Sequence, residues 1–131
     1  MMKLLEKYSK ISWTFVIIIC IAVFYISSLQ FPSGSRGFGW KTIVYHFFAF
    51  FFLAFFLLPA PVKGKSKALI FLTIILAVLY GISDEVHQFF VPSRHFAFSD
   101  VMVNSCGILT ASLIYTTSLR FRKHEVNKNS S

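Results

Sequence analysis

Four long apolar runs, separated by short polar stretches, limit what this chain can fold into. They occupy residues 11–29, 42–58, 68–82 and 101–119. A helix needs about 20 apolar residues to cross a bilayer, so the first, second and fourth runs are long enough to span. Only 14% of the 131 residues are charged, which is too few to cover a water-soluble globule of this composition. The pattern predicts an all-α membrane bundle of four transmembrane helices.

The third run is shorter than a bilayer requires. As a helix, residues 68–82 reach about 22 Å, against about 30 Å of hydrocarbon. The apolar triplet 89–91 follows a polar stretch, and Pro92 disfavours helix in the residue before it. We therefore expect one helix over residues 68–91, whose last third carries Asp84, Glu85, His87 and Gln88.

The basic residues are divided unevenly between the two sides of the predicted bundle. Ten of the 13 Lys and Arg residues flank one side, while Arg36, Lys41 and Arg94 flank the other. Cytoplasmic flanks carry the excess of Lys and Arg, so we expect both termini inside and the segments 30–41 and 92–99 outside. Because the net charge of +8 arises from these flanks, it does not indicate nucleic-acid binding.

The remaining organisation is simple. Residues 1–120 are expected to form a single transmembrane domain, and the polar residues 121–131 a disordered cytoplasmic tail. Cys20 and Cys106 lie inside apolar runs without a CxxC spacing, which is typical of buried free thiols.

The acidic residues are concentrated at one place. Asp84, Glu85 and Asp100, three of the five in the chain, lie within 17 positions of one another. Ionisable groups at membrane depth are costly and tend to face the bundle and carry function. This concentration predicts a polar site at the outer face, built mostly from the third and fourth spans.

The helical spacing of the polar residues predicts that they lie at a similar depth in the bundle. The third and fourth spans are joined by a short loop, so we expect them to form an antiparallel hairpin. Asp100, Asn104 and Gly107 form one stripe at i, i+4 and i+7. Gly107 and Ala111 form a small-xxx-small pair that lets helices approach closely. His46, on the second span, is expected at the depth of Asn104.

Each of these residues has a structural interpretation as well as a chemical one, and the sequence leaves both open. Asp100 could cap its helix, Asn104 could hold helices together, and Arg94 could neutralise a carboxylate. Acid–base catalysis could use Glu85 or Asp84 beside a histidine.

A metal site is a further interpretation. Asp84-x-x-His87 with His95 and Asp100 offers oxygen and nitrogen ligands, but the spacing fits no strong zinc motif, so no metal or cofactor is assigned. The inner halves of the spans carry no ionisable residues, which argues against an ion path across the membrane.

The stretch 81–94, followed by Asp100, Asn104 and Gly107, resembles the signature of VanZ-like membrane proteins, which reads roughly E-x-x-Q, P-G-R and D-x-x-x-N-x-x-G. Ser28, Lys41 and His46 also fit the family's wider pattern of four spans. Three departures are visible: Ser93 stands in place of the usual Gly, the 41–46 spacing is longer, and Ala49-Phe50 replaces a pair that ends in Tyr.

The resemblance implies a prokaryotic multi-pass plasma-membrane protein of the cell envelope. The family's founding member is linked to resistance against teicoplanin-type glycopeptides, which act outside the membrane. Carried over by position, the implied functional residues are His46, Glu85, Gln88, Arg94, Asp100 and Asn104.

Two hypotheses follow, and the sequence does not decide whether the chain is an enzyme. In the first, the chain acts on an envelope lipid or lipid-linked precursor. Glu85, His46 and Asp100 are then catalytic, with Glu85 as general base, and Arg94, Gln88 and Asn104 bind the substrate, Arg94 holding an anionic group. In the second, the chain is a non-catalytic accessory or scaffold protein whose polar layer serves packing and docking.

Overall fold

The computed structural model describes residues 2–30, 39–63, 66–92 and 94–129. Arg36 and Ser93, named above, lie outside these ranges, as do residues 130–131 of the predicted tail. Within the described ranges every regular element is a helix. These elements are α1 (Met2–Lys7), α2 (Ser9–Ser27), α3 (Trp40–Leu57), α4 (Pro59–Val62), α5 (Lys67–Phe89) and α6 (Phe98–Lys128).

Four of the described helices are long and apolar enough to cross a membrane: α2, α3 with α4, α5 and α6. This confirms the predicted four-helix membrane bundle. The third spanning helix continues to Phe89, so the polar residues after Ile82 lie within it, as the length argument required. The structure carries no membrane, so the N-in, C-in orientation stays a prediction.

Proline and a left-handed residue shape the connection between α3 and α5. Pro59 occupies the first position of α4, where the absence of its N–H costs no helical hydrogen bond. Lys63 then ends α4 with φ of 46°. Helix α5 begins a few residues later, at Lys67.

Helix α6 packs most extensively against α3, and less against α5. The reason is Gly107, where an added Cβ would lie 2.4 Å from the Phe47 carbonyl oxygen and 3.0 Å from the Phe51 nitrogen. Only a residue without a side chain allows the two backbones to approach this closely. The stripe of small residues thus faces α3. The predicted hairpin of the third and fourth spans corresponds to the smaller contact, between α5 and α6.

The two ends of the bundle differ in their polar residues. At the end where α2 and α5 finish and α3 and α6 begin, which we call the polar end, carboxylates and a histidine are buried. At the opposite end, the basic end, α1 and α4 pack near Tyr115 and Leu119 of α6. There α6 continues as a helix to Lys128, which differs from the disordered tail predicted after residue 120.

Candidate functional site

Side chains from four helices and one loop meet at the polar end. We call this group the polar layer. All of its members except Arg94 are buried. They are Ser27, His46, Asp84, Glu85, Gln88, Arg94, Asp100 and Asn104.

His46 lies at the centre of the polar layer and is 1% exposed. Its Nδ1 lies 3.0 Å from the Asn104 Oδ1. A carboxamide oxygen can only accept, so Nδ1 carries the hydrogen and the Nε2 of a neutral ring is left as an acceptor. Nε2 lies 3.7 Å from the Asp100 Oδ2, and Nδ1 lies 3.8 Å from the Glu85 Oε1. Both distances are too long for hydrogen bonds.

Glu85 is fully buried and is held by neutral donors. Its Oε1 accepts from the Gln88 Nε2 at 3.3 Å, and its Oε2 accepts from the backbone N–H of Ala97 at 3.3 Å. The Ala97 contact ties the carboxylate to the loop before α6. These donors fix its position without adding a positive charge.

Asp84 belongs to a tighter network beside it. The Ser27 hydroxyl donates to the Asp84 Oδ1 at 2.6 Å, and the Gln88 Nε2 donates to the Asp84 Oδ2 at 3.0 Å. Both oxygens of this buried carboxylate are therefore satisfied. The network joins the end of α2 to α5, and Gln88 connects it to Glu85.

Arg94 brings a positive charge to the polar layer. Its Nη1 donates to the Gln88 Oε1 at 2.9 Å, and its Nη2 donates to the Ile26 carbonyl at 2.8 Å. Its Nε donates to the Leu29 carbonyl at 3.3 Å. A cation at the carbonyl end of a helix is favourable, so Arg94 also closes α2.

The structure brings all six sequence-predicted site residues into the polar layer: His46, Glu85, Gln88, Arg94, Asp100 and Asn104. Their catalytic and binding roles stay predictions. No side chain caps α6, and Asp100 instead stands inside the first turn, turned toward His46.

The metal-ligand set weighed from sequence is divided between different places. His87 stacks on Phe24, and its Nε2 lies 3.0 Å from the Ser28 hydroxyl, while His95 is exposed. One ligand atom each from His46, Glu85 and Asp100 instead lie within 4.8 Å of one another. The histidine of this group is His46, in place of the His87 and His95 that were weighed from sequence.

Two buried polar atoms at this end have no hydrogen-bond partner among the described residues. They are the Tyr45 hydroxyl and the Asn104 Nδ2. Tyr45 packs edge-on against the His46 ring, with centroids 5.2 Å apart. Tyr45 does not stand out in the sequence, because its helix is rich in aromatic residues. Its position next to His46 could have indicated that it belongs to the site. Unsatisfied groups of this kind in native structures call for a specific explanation.

Comparisons with known proteins give one positive result. Neither the search of curated proteins nor the search of solved structures returned a match. The family model described as VanZ/LLP1 matches residues 6–120, which include all four spanning helices up to Arg120 and the whole polar layer. The chain therefore belongs to the VanZ/LLP1 family of membrane proteins.

Proposed function

We propose that this VanZ-family protein acts on the anionic headgroup of an envelope lipid or lipid-linked precursor, through a polar end that faces outward. The observation that carries the proposal is the buried trio of His46, Glu85 and Asp100 beside a guanidinium at one end of a membrane bundle. Buried ionisable groups in a membrane protein mark functional sites by default.

The charge pattern supports the outward orientation. The basic end carries most of the Lys and Arg residues, which favours its placement in the cytoplasm. The polar end then lies in the outer leaflet of the plasma membrane, within reach of lipid headgroups.

The rim of the polar end supports a lipid partner. Large aromatic side chains between 63% and 75% exposed lie at the helix ends on this side of the bundle: Trp40, Phe89, Phe90 and Phe98. Aromatic residues at this depth contact the boundary between headgroups and acyl chains. A lipid reaching the polar layer would lie against them, so its headgroup and not its tail meets the charged residues.

The geometry divides the layer by role. Glu85, His46 and Asp100 form the reactive centre, because their ring nitrogens and carboxylate oxygens face one another without direct hydrogen bonds. Arg94 supplies the positive charge that attracts an anionic headgroup. Gln88 and Asn104 hold Glu85 and His46 in place and line the site.

A scaffold function is favoured by a different observation. The Ser27–Asp84–Gln88 network satisfies both Asp84 oxygens and joins α2 to α5. It needs no ligand, so this half of the polar layer is explained by packing. The alternative function, a non-catalytic accessory protein, extends that explanation to the whole layer.

Melting of the detergent-solubilised protein with two matched lipids tests the proposal. Polyprenyl phosphate should raise the melting temperature, whereas polyprenol, which has the same tail without the phosphate, should not. Arg94→Lys keeps the charge and loses the planar fork, so it should reduce the shift. Equal shifts with both lipids, or an unchanged shift in Arg94→Lys and Asp100→Asn, would contradict the proposal.

A further inference from the structure

We propose that His46, Glu85 and Asp100 form a binding site for a divalent transition-metal ion such as Zn²⁺. The three side chains come from α3, α5 and α6, so the bundle must fold before they meet. The inference rests on the proposed function in so far as it concerns the same site, but metal binding is measured without any lipid.

The distances suit ligands of one ion. Ligand atoms about 2.0–2.2 Å from a tetrahedral zinc ion stand about 3.3–3.6 Å apart. The His46 Nε2 and the Asp100 Oδ2 are 3.7 Å apart, and one atom from each of the three residues lies within 4.8 Å of the others. Terminal carboxylate torsions are broad, so Glu85 can approach by rotation.

His46 itself points to a ligand. It is 1% exposed, and its Nε2 faces the Asp100 Oδ2 at 3.7 Å, a distance too long for a hydrogen bond. Metal-ligating histidines usually donate their other ring N–H to an oxygen, which fixes the tautomer. The Asn104 Oδ1 accepts from Nδ1 in this way, so the acceptor nitrogen is turned toward Asp100.

The charge balance gives an independent reason. Among the described members of the polar layer, Asp84, Glu85 and Asp100 set three carboxylates against the guanidinium of Arg94, which leaves two formal negative charges when His46 is neutral. Uncompensated buried charge is costly. It would also repel an anionic headgroup. A divalent cation cancels both charges and lets the phosphate of a lipid approach.

The donor set selects the kind of metal. One imidazole with two carboxylates suits Zn²⁺ and its transition-metal neighbours better than Mg²⁺ or Ca²⁺, which prefer oxygen ligands throughout. Three protein ligands leave a fourth position for water or substrate, as in catalytic zinc sites. With the ion bound, Glu85 and His46 are its ligands, in place of the catalytic roles predicted for them from sequence.

Zinc binding to the purified full-length chain tests this inference. The protein carries a tag without histidines, is loaded with Zn²⁺ in detergent, is washed, and its zinc is counted by mass spectrometry, with affinity measured by chelator competition. We expect about one zinc per chain and no competition from Mg²⁺. His46→Gln and Asp100→Asn should each weaken binding at least tenfold, and the positioning variant Asn104→Leu about 10–100-fold. His95→Gln, which removes an exposed imidazole, is the matched control and should bind as wild type.

Controls keep a misfolded variant from deciding the result. Circular dichroism of the helices and gel filtration identify such a variant. Separately, the absorption spectrum of wild-type protein loaded with Co²⁺ reports directly on tetrahedral nitrogen and oxygen coordination. Wild-type protein that retains no zinc would overturn the inference, as would undiminished binding in folded His46→Gln and Asp100→Asn. If zinc is absent but polyprenyl phosphate still raises the melting temperature, only the metal site fails. If zinc binds and the two lipids act alike, the lipid proposal fails and the metal site stands.

Discussion

The two ends of the bundle both hold a carboxylate among helices, but they satisfy it differently. At the basic end, Glu6 accepts from both terminal nitrogens of Arg122 at 2.7 Å and from the Tyr115 hydroxyl at 2.8 Å. At the polar end, Glu85 has neutral donors at 3.3 Å and a histidine nitrogen at 3.8 Å. Charge-assisted hydrogen bonds satisfy both oxygens of Glu6, whereas Glu85 receives no such bond from the described residues.

This difference separates a structural ion pair from a candidate site. A bidentate Arg–carboxylate pair is strong and geometrically closed, so it fastens α1 to α6 and leaves Glu6 no capacity for a ligand. A buried carboxylate without a charged partner costs stability, and a protein retains such a group where function requires it.

The largest expected effect lies between the two ends, at Gly107. In Gly107→Ala the new Cβ would overlap the α3 backbone, so α6 must move away from His46. We expect a loss of at least about 1–3 kcal/mol in the free energy of unfolding, measured by denaturant titration in detergent. Gly39→Ala, where nothing lies within 4 Å of the added Cβ, is the control and should be nearly neutral. A stable Gly107→Ala would mean that the two helices do not pack as described.

The next effect is at the basic end. Glu6→Gln removes the negative charge from a pair that Arg122 makes at both oxygens. We expect a loss of about 1 kcal/mol, discounted because the side chains are 12–19% exposed. Thermal melting of purified protein measures it. An unchanged melting temperature would show that the ion pair does not hold α1 in place.

The stability lost in Glu6→Gln should depend on pH. The side-chain hydrogen bonds from Arg122 are the main cause that holds the pKa of Glu6 below its ordinary value of 4.5. The stability gained from a lowered carboxyl pKa is present above the unfolded value and is lost as the pH falls through the folded value. The difference in melting temperature between wild type and Glu6→Gln should therefore be constant from neutral pH to about 4.5 and shrink below it. A difference that grows on acidification would contradict the assignment.

The smallest effect on stability is expected at the polar end. Glu85→Gln keeps one oxygen that can accept from Gln88, loses the acceptor for the Ala97 N–H, and removes a buried charge without an ionic partner. The melting temperature should change little or rise, while zinc binding and the response to polyprenyl phosphate are lost. A fall in melting temperature as large as that of Glu6→Gln would make Glu85 a structural residue and favour the scaffold function.

The sequence predicts the spanning helices well because apolar length is a local property. It does not predict α1 or the extension of α6 to Lys128, because short polar helices form only when tertiary contacts support them. The Glu6–Arg122 pair joins residues 116 positions apart, which no local pattern reveals. Glu6 stands among lysines near the start of the chain, and this was the available signal.

The members of the polar layer were also predictable, since ionisable residues are conspicuous in apolar helices. Their pairing was not. Whether His46 faces Asp100 or Asp84 depends on how α3, α5 and α6 rotate about their axes, and that rotation follows from the close approach at Gly107. The short loop between α5 and α6 predicts that these two helices contact each other. Helix α6 nevertheless has its larger contact with α3, because Gly107 has no side chain.

The central claim is that the polar end is a site open to the outside of the cell, and cysteine accessibility in intact cells tests it most directly. In a Cys20→Ala, Cys106→Ala background, His95→Cys probes the polar end and Ser66→Cys the basic end. A membrane-impermeant thiol reagent should label position 95 and leave position 66 unlabelled until the cells are opened. Labelling at 66 and not at 95 would place the polar layer at the cytoplasmic face and contradict the envelope function.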